Sequence, residues 1–325
     1  MKPLRLIGAA ILAAGLIGTS PASAQKLDDL TIVVFGPPSL GAFLPPIIKS
    51  QKLDEKNGLN ITFTERPPDA YLVQFNTGEF QVGGSAALLN VGQAATRGVD
   101  VQYLFNVFDY WSYVVTSRPD VKTLKDIEGK DMAAARSTSS YRIFTWFAKQ
   151  QGVDLSKVSV VNTAPPGLVS YAMADRAASI HMWSPGYDTT VGKKPGLRTL
   201  DLKIPETWKR FATNPSIPYL GVAAHTKWIK ENTHLVPKLY NTYKQAADWV
   251  LANPDEASKL IAPKDPEESQ KAVASLIRAN DRLGLNVQWS ADVQKELELI
   301  YKIGLDVEIL TEMPKTPTFY SGPRK

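Results

Sequence analysis

The chemistry in this chain is concentrated at Arg136-Ser137-Thr138-Ser139-Ser140, a run of one guanidinium and four hydroxyls between the apolar segment 132–135 and Tyr141-Arg142-Ile143-Phe144. The pattern predicts a strand, a hydroxyl-rich turn and then a helix with Ile143, Phe144 and Phe147 on one face. The start of such a helix leaves backbone N–H groups unpaired, and the helix dipole adds positive potential there. Ser137, Thr138 and Ser139 are therefore candidates to hold an anion. Ser and Thr are also preferred N-caps, so a capped helix explains the same residues, and both readings stand. Arg136 can pair with an anion or lie on the surface.

Other chemistries find little support. The chain has no cysteine, which removes thiol catalysis, disulfides and a lipidated-Cys anchor. His225 and His234 have no partner at metal-ligand spacing, and His181, next to the loop after its strand, is either a structural histidine or a pocket residue. Ser85, Ser137 and Ser139 lack a base in the predicted topology, with His181 the one exception. No enzyme chemistry, no metal and no cofactor are expected. The net charge of +5 comes from scattered residues and gives no indication of nucleic-acid binding. Lys2 and Arg5, the apolar run 6–17 and Ala22-Ser23-Ala24 read as a secretory signal peptide, 1–24, cleaved before Gln25. No other run is long enough to cross a membrane, so a protein free in the periplasm is expected.

The elements that must position these residues alternate. Strands are expected at 30–35, 59–64, 80–84 and 101–105, with helices at 41–51, 70–77 and 85–97 between them. The rhythm repeats from 111–117 through 158–161 and 177–182, and 219–224 reads as the chain's return to the first sheet. Helices follow at 235–251, 254–261, 267–278 and 291–303, and a proline-bearing tail, 311–325, is expected to be loosely held. This is an α/β chain with largely parallel sheets. Ligands in such sheets sit outside the carboxyl ends of the strands. That rule selects Ser39, Leu40, Asp69, Gly84, Ser85, Asp109 and Trp111, then Trp183 and Ser184 after the strand at 177–182, and Asn214 in the irregular stretch 211–216. Ser39 is also a possible cap, and Gly84-Ser85 is either tight packing or a second anion seat. Phe35, Phe105, Phe108, Tyr110, Trp111 and Trp183 lie near strand ends. Aromatics are mostly core, and Trp183 is the best candidate for a pocket wall. Asp69 and Asp109 either cap helices or meet an ammonium on the ligand.

The order of Pro38-Ser39-Leu40, Gly78-Glu79-Phe80-Gln81-Val82-Gly83, Val121-Lys122-Thr123-Leu124-Lys125-Asp126-Ile127-Glu128-Gly129-Lys130, Arg136-Ser137-Thr138-Ser139 and Ile180-His181-Met182-Trp183-Ser184-Pro185 resembles the periplasmic substrate-binding proteins of nitrate/sulfonate/taurine-type ABC importers. The resemblance implies a two-lobed, type II periplasmic-binding-protein fold with two crossover strands. One lobe would be 27–117 plus 219–310 and the other 118–218. It also implies a monomer that captures a small organic anion, a sulfonate or a carboxylate, for a permease and its ATPase. A ligand sensor for a signalling receptor, or a binder of a pyrimidine or flavin-type vitamin precursor, is the alternative.

Overall fold

The computed structural model describes residues 26–191 and 194–325. The expected signal peptide lies outside the described residues.

Eleven strands among the described residues form two sheets. The first contains β1 (Asp28–Phe35), β2 (Leu59–Arg66), β3 (Val82–Ala87), β4 (Val101–Asp109), β10 (Pro218–His225) and β11 (Leu285–Trp289), in the order β11-β4-β10-β3-β1-β2. The second contains β5 (Tyr113–Thr116), β6 (Asp131–Ala134), β7 (Ser159–Asn162), β8 (Ser179–Met182) and β9 (Arg198–Leu200), in the order β7-β6-β8-β5-β9. Helices cover both faces of a parallel sheet, so its central strands read as continuous apolar runs. Ile32, Val33 and Val34 of β1 are fully buried for this reason.

β1 is parallel to β2 and β3, and β6 is parallel to β7 and β8. Three strands are exceptions: β11, antiparallel to β4 at the edge of the first sheet, and two that carry the architecture. β5 is antiparallel to β8 and β9, and β10 is antiparallel to β3 and β4. Each is the first strand after the chain crosses between lobes. It enters its sheet from the side where the parallel strands end, and so must run against them.

Three expectations need correction. The stretch 111–117, grouped with the first lobe, contributes β5 to the second sheet, because the crossing occurs at Tyr110-Trp111-Ser112. An alternating apolar segment does not reveal which sheet it will join. β3 runs to Ala87, and the next helix starts at Leu88. The small residues Gly83 to Ala87 let β10 pair alongside, and that pairing overrides the local helix signal. The tail is not loose at 318–320. Tyr103 N donates to Thr318 O at 2.7 Å, Tyr320 N donates to Tyr103 O at 3.0 Å, and Tyr320 is buried. These residues cover the edge of β4 beyond the reach of β11.

Candidate ligand site between the lobes

The two crossings meet at the end of β4. Pro218 pairs with Asp109, and Tyr110 N donates to Ile217 O at 2.7 Å. The Asp109 carboxylate accepts from Asn106 Nδ2 at 3.0 Å, Ser216 Oγ at 2.8 Å and Asn286 Nδ2 at 2.9 Å. Asn106 Oδ1 in turn accepts from the Tyr103 hydroxyl and from Tyr219 N. Burial pushes the Asp109 carboxyl up to about 6, and these neutral donors only partly offset it. Asp109 thus ties both crossings to β11, with its oxygens already engaged. Asn214 shapes the second crossing. Its side chain accepts from Ser216 N at 3.0 Å and its carbonyl from Trp208 Nε1 at 3.0 Å.

The start of helix Ser139–Gln150 rests on the same junction. Thr138 is its N-cap, with Oγ1 accepting from Tyr141 N at 3.3 Å and donating to Ala135 O at 2.8 Å. Arg136 and Ser137 are exposed, and Arg136 N donates to Asn162 Oδ1. Ser139 and Ser140 are buried. The Tyr219 hydroxyl lies within reach of both their side chains, and the Tyr110 hydroxyl donates to Ser140 O at 3.1 Å. The helix start therefore faces two tyrosines of the junction.

Other residues selected by the strand-end rule are dispersed. Ser39 and Leu40 are half-buried in the turn after β1, with Ser39 Oγ donating to Phe35 O at 3.4 Å. Asp69 is exposed on the first turn of helix Pro68–Asn76. Gly84 and Ser85 are not at a strand end, since both lie inside β3. Ser85 Oγ accepts from Phe35 N at 2.9 Å, and a Cβ on Gly84 would come 2.6 Å from Tyr243 Oη. Tight packing is the reading that fits. Phe105, Phe108 and Tyr110 are core, and Phe35 packs edge-on against Tyr71. His181 lies against the Tyr141 and Phe144 rings, and burial pushes it down to about 3, so it is neutral.

On the side of the seam away from helix Ser139–Gln150, two hydrogen bonds among the described residues join the lobes. Trp183 Nε1 donates to Pro38 O at 3.1 Å, and Ser184 Oγ donates to Arg282 O at 2.7 Å. Beside them lie Trp111, Tyr113, Tyr187 and Asp188, with the Tyr113 and Tyr187 rings stacked at 3.9 Å. Trp111 Nε1, Tyr113 Oη and Asp188 Oδ2 are buried without a hydrogen-bond partner of good geometry among the described residues. The Arg282 guanidinium, from the first lobe, is the nearby cation that acts on both Tyr113 and Asp188. Burial pushes Asp188 up to about 6 against this attraction. Tyr113, Tyr187, Asp188 and Arg282 escaped sequence reading. Arg282 occupies a four-residue helix, Asn280–Leu283, and no local pattern points to partners so far upstream.

A cavity of about 1050 Å³ lies elsewhere. It flanks the first lobe beside the edge strand β2, lined by Phe43, Ile61 and Phe63, and reaches the seam through Pro37, Pro38 and Ser39 of the first lobe and Pro185 of the second. The unpaired polar groups at the seam are the better guide to a ligand site, because a buried donor or acceptor without a partner is costly. Among the described residues no cluster of His, Cys, Asp and Glu could hold a metal, and no helix is long and apolar enough to cross a membrane.

Known proteins share this architecture. The alkanesulfonate-binding protein SsuA from Xanthomonas axonopodis pv. citri, solved with MOPS bound, superposes with a TM-score of 0.69 at 16% identity, covering 88% of this chain and 96% of that one. The periplasmic aliphatic sulphonate binding protein SsuA from Escherichia coli gives 0.71 at 16% identity, covering 88% and 95%. In sequence, a protein of Brucella abortus described only as a binding protein is 22% identical over 225 residues, 68% of this chain and 67% of that one. The family model described as NMT1/THI5 like matches residues 55–257, from the strand β2 region through both crossings to the C-terminal helices. That match spans more than half of the chain, and with the two-lobed fold it establishes that the protein belongs to the NMT1/THI5-like family.

Proposed function

We propose that this protein is the extracytoplasmic solute-binding component of an ABC importer, capturing a small organic anion between its lobes and passing it to a membrane permease. The observation that carries the reading is the seam, where aromatic rings and unpaired buried polar atoms of one lobe face a guanidinium of the other. Such atoms gain most from a ligand that supplies their missing partners. A solute touching both lobes binds the closed form better than the open one, and that difference in affinity drives closure. The anionic class rests on Arg282 and on the dipole of helix Ser139–Gln150, both of which favour negative charge. The sulfonate-binding proteins of like fold make sulfonates and carboxylates the first compounds to try.

A thermal-shift screen of residues 25–325 against sulfonates, aliphatic and aromatic carboxylates, nitrate, pyrimidines and riboflavin tests this. A solute at 100 times its Kd adds about 2.7 kcal/mol, on the order of 5 °C for a chain of this size. The expected result is stabilisation by an organic acid that disappears in Arg282→Ala and persists in the exposed Lys56→Ala. Stabilisation confined to pyrimidines or riboflavin, or an acid effect untouched by Arg282→Ala, contradicts it.

A further inference from the structure

Resting on that reading, we infer that the lobes part on one side only: helix Ser139–Gln150 of the second lobe stays packed on the first and serves as the pivot, and Trp146 is the residue that positions the two lobes for the solute. The basis is the distribution of buried apolar side chains. One cluster lies wholly in the first lobe and another wholly in the second. The remaining cluster runs through both, with Trp146 and Phe147 of helix Ser139–Gln150 and Ile303 and Val307 from the region of helix Gln294–Asp306 among its members. These two helices pack against each other, and Trp146, 2% exposed, donates from Nε1 to Asp306 at 3.2 Å. The start of the same helix is bound to the crossings. The Tyr110 ring stacks on Phe147, with centroids 5.7 Å apart and planes at 3°. Tyr219, of the first-lobe strand β10, meets Tyr110 edge-on and brings its hydroxyl within reach of Ser139 and Ser140. The helix is thus anchored to the first lobe at its first turn and again at Trp146, about two turns further on.

The opposite side is joined differently. There helix Ser184–Val191 of the second lobe faces helix Glu267–Arg278 of the first, and no buried apolar cluster is shared between them among the described residues. The Trp183–Pro38 and Ser184–Arg282 hydrogen bonds join the lobes on this side. Water replaces a broken hydrogen bond with little net change, whereas parting the Trp146 side would expose indole and phenyl surface for which water offers no compensation. The Trp183 side is therefore the mouth. A pivot that stays assembled need not be ordered by the solute, so the free energy of binding goes into closing the mouth. Trp146 acts through the angle between the lobes, by fixing how the start of its helix stands opposite Arg282. Loosening it leaves fewer molecules in the competent geometry, and apparent affinity falls by that fraction.

The test is electron resonance on two pairs of spin labels in the chain 25–325. Lys149→Cys with Lys302→Cys, both exposed, spans the pivot. Met173→Cys with Lys271→Cys, also exposed, spans the mouth, since helix Pro165–Met173 lies beside helix Ser184–Val191. Without solute the pivot pair is expected to give a narrow distance distribution and the mouth pair a broad one. Trp146→Ala is expected to broaden the pivot pair and to weaken calorimetric binding of butanesulfonate about tenfold, as when one molecule in ten keeps the competent geometry. Trp146→Phe, which keeps a ring at the contact, is expected to restore the narrow pivot and most of the affinity. The wild-type distributions decide the matter even should the alanine variant fold poorly. A pivot pair as broad as the mouth pair overturns the inference, and so does a Trp146→Ala protein that melts lower yet keeps its narrow pivot and its affinity. Silence across the organic-acid screen, with a narrow pivot and a broad mouth, overturns the reading beneath and leaves the one-sided opening standing.

Discussion

Asp109 marks the point where the chain first leaves the first lobe, and its position in the strand-end set reflects that junction more than a ligand. Its folded-state pKa of about 6 lies above the ordinary carboxylate value because burial outweighs three neutral donors. Between about pH 4 and 6 the folded protein holds a proton that the unfolded chain has released. The contribution of this group is therefore fully present below about pH 4 and is lost as pH rises to about 6, a change on the order of 3 kcal/mol. Melting curves of wild type and Asp109→Asn from pH 4.5 to 7.5 check this, with the wild-type advantage expected to shrink as pH rises. An advantage constant across the range would assign the carboxylate an ordinary pKa. At this scale the sequence is legible where chemistry is local: Thr138 caps the helix its position announces. Asp188 and Arg282 were not legible, because their meaning is created by two lobes meeting.

At the scale of elements, most strands and helices follow from apolar runs and their punctuation, and Ile143, Phe144 and Phe147 form the buried face that their spacing predicts. The failures share a cause. β3 is longer than expected, β5 joins the other sheet and the tail is pinned, each time because a distant strand supplies the partner. The Gly84-Ser85 pair shows the consequence for function, since a supposed strand-end seat is the interior of a strand. Gly84 is small because Tyr243, Ile32 and Val34 crowd the space a Cβ would take, at 2.6 to 3.0 Å. Gly84→Ala should cost about 1–3 kcal/mol of stability, typical of overpacking a dense core. Ligand affinity in the folded variant should be unchanged. A loss of affinity without loss of stability, read by calorimetry alongside melting, would return Gly84 to the binding site.

For the whole molecule, β5 and β10, each the first strand after a crossing and each antiparallel to both of its neighbours, are the structural signature of a chain that crosses twice between lobes. The two crossings leave the first sheet side by side, where Asp109 at the end of β4 pairs with Pro218 at the start of β10, so a small rotation there moves the lobes as bodies while each sheet keeps its pairing. The Trp183–Pro38 and Ser184–Arg282 hydrogen bonds form a modest latch worth about 1 kcal/mol each, with Trp146 Nε1 donating to Asp306 at 3.2 Å as a further link between the lobes, which leaves closure within the reach of a bound solute. The two-lobed form was legible from the repeated rhythm and the family resemblance, whereas the identity of the seam residues was not.

Closure on a solute is the central claim, and the absence of native cysteine makes it directly measurable. Spin labels at Lys56→Cys and Lys122→Cys, both exposed and one on each lobe, report the inter-lobe distance by pulsed electron resonance. The account predicts a broad distribution without solute that narrows to its shortest component when the acid found by thermal shift is added, and no such change in an Arg282→Ala background. A distribution that stays the same while calorimetry shows the solute bound would contradict it.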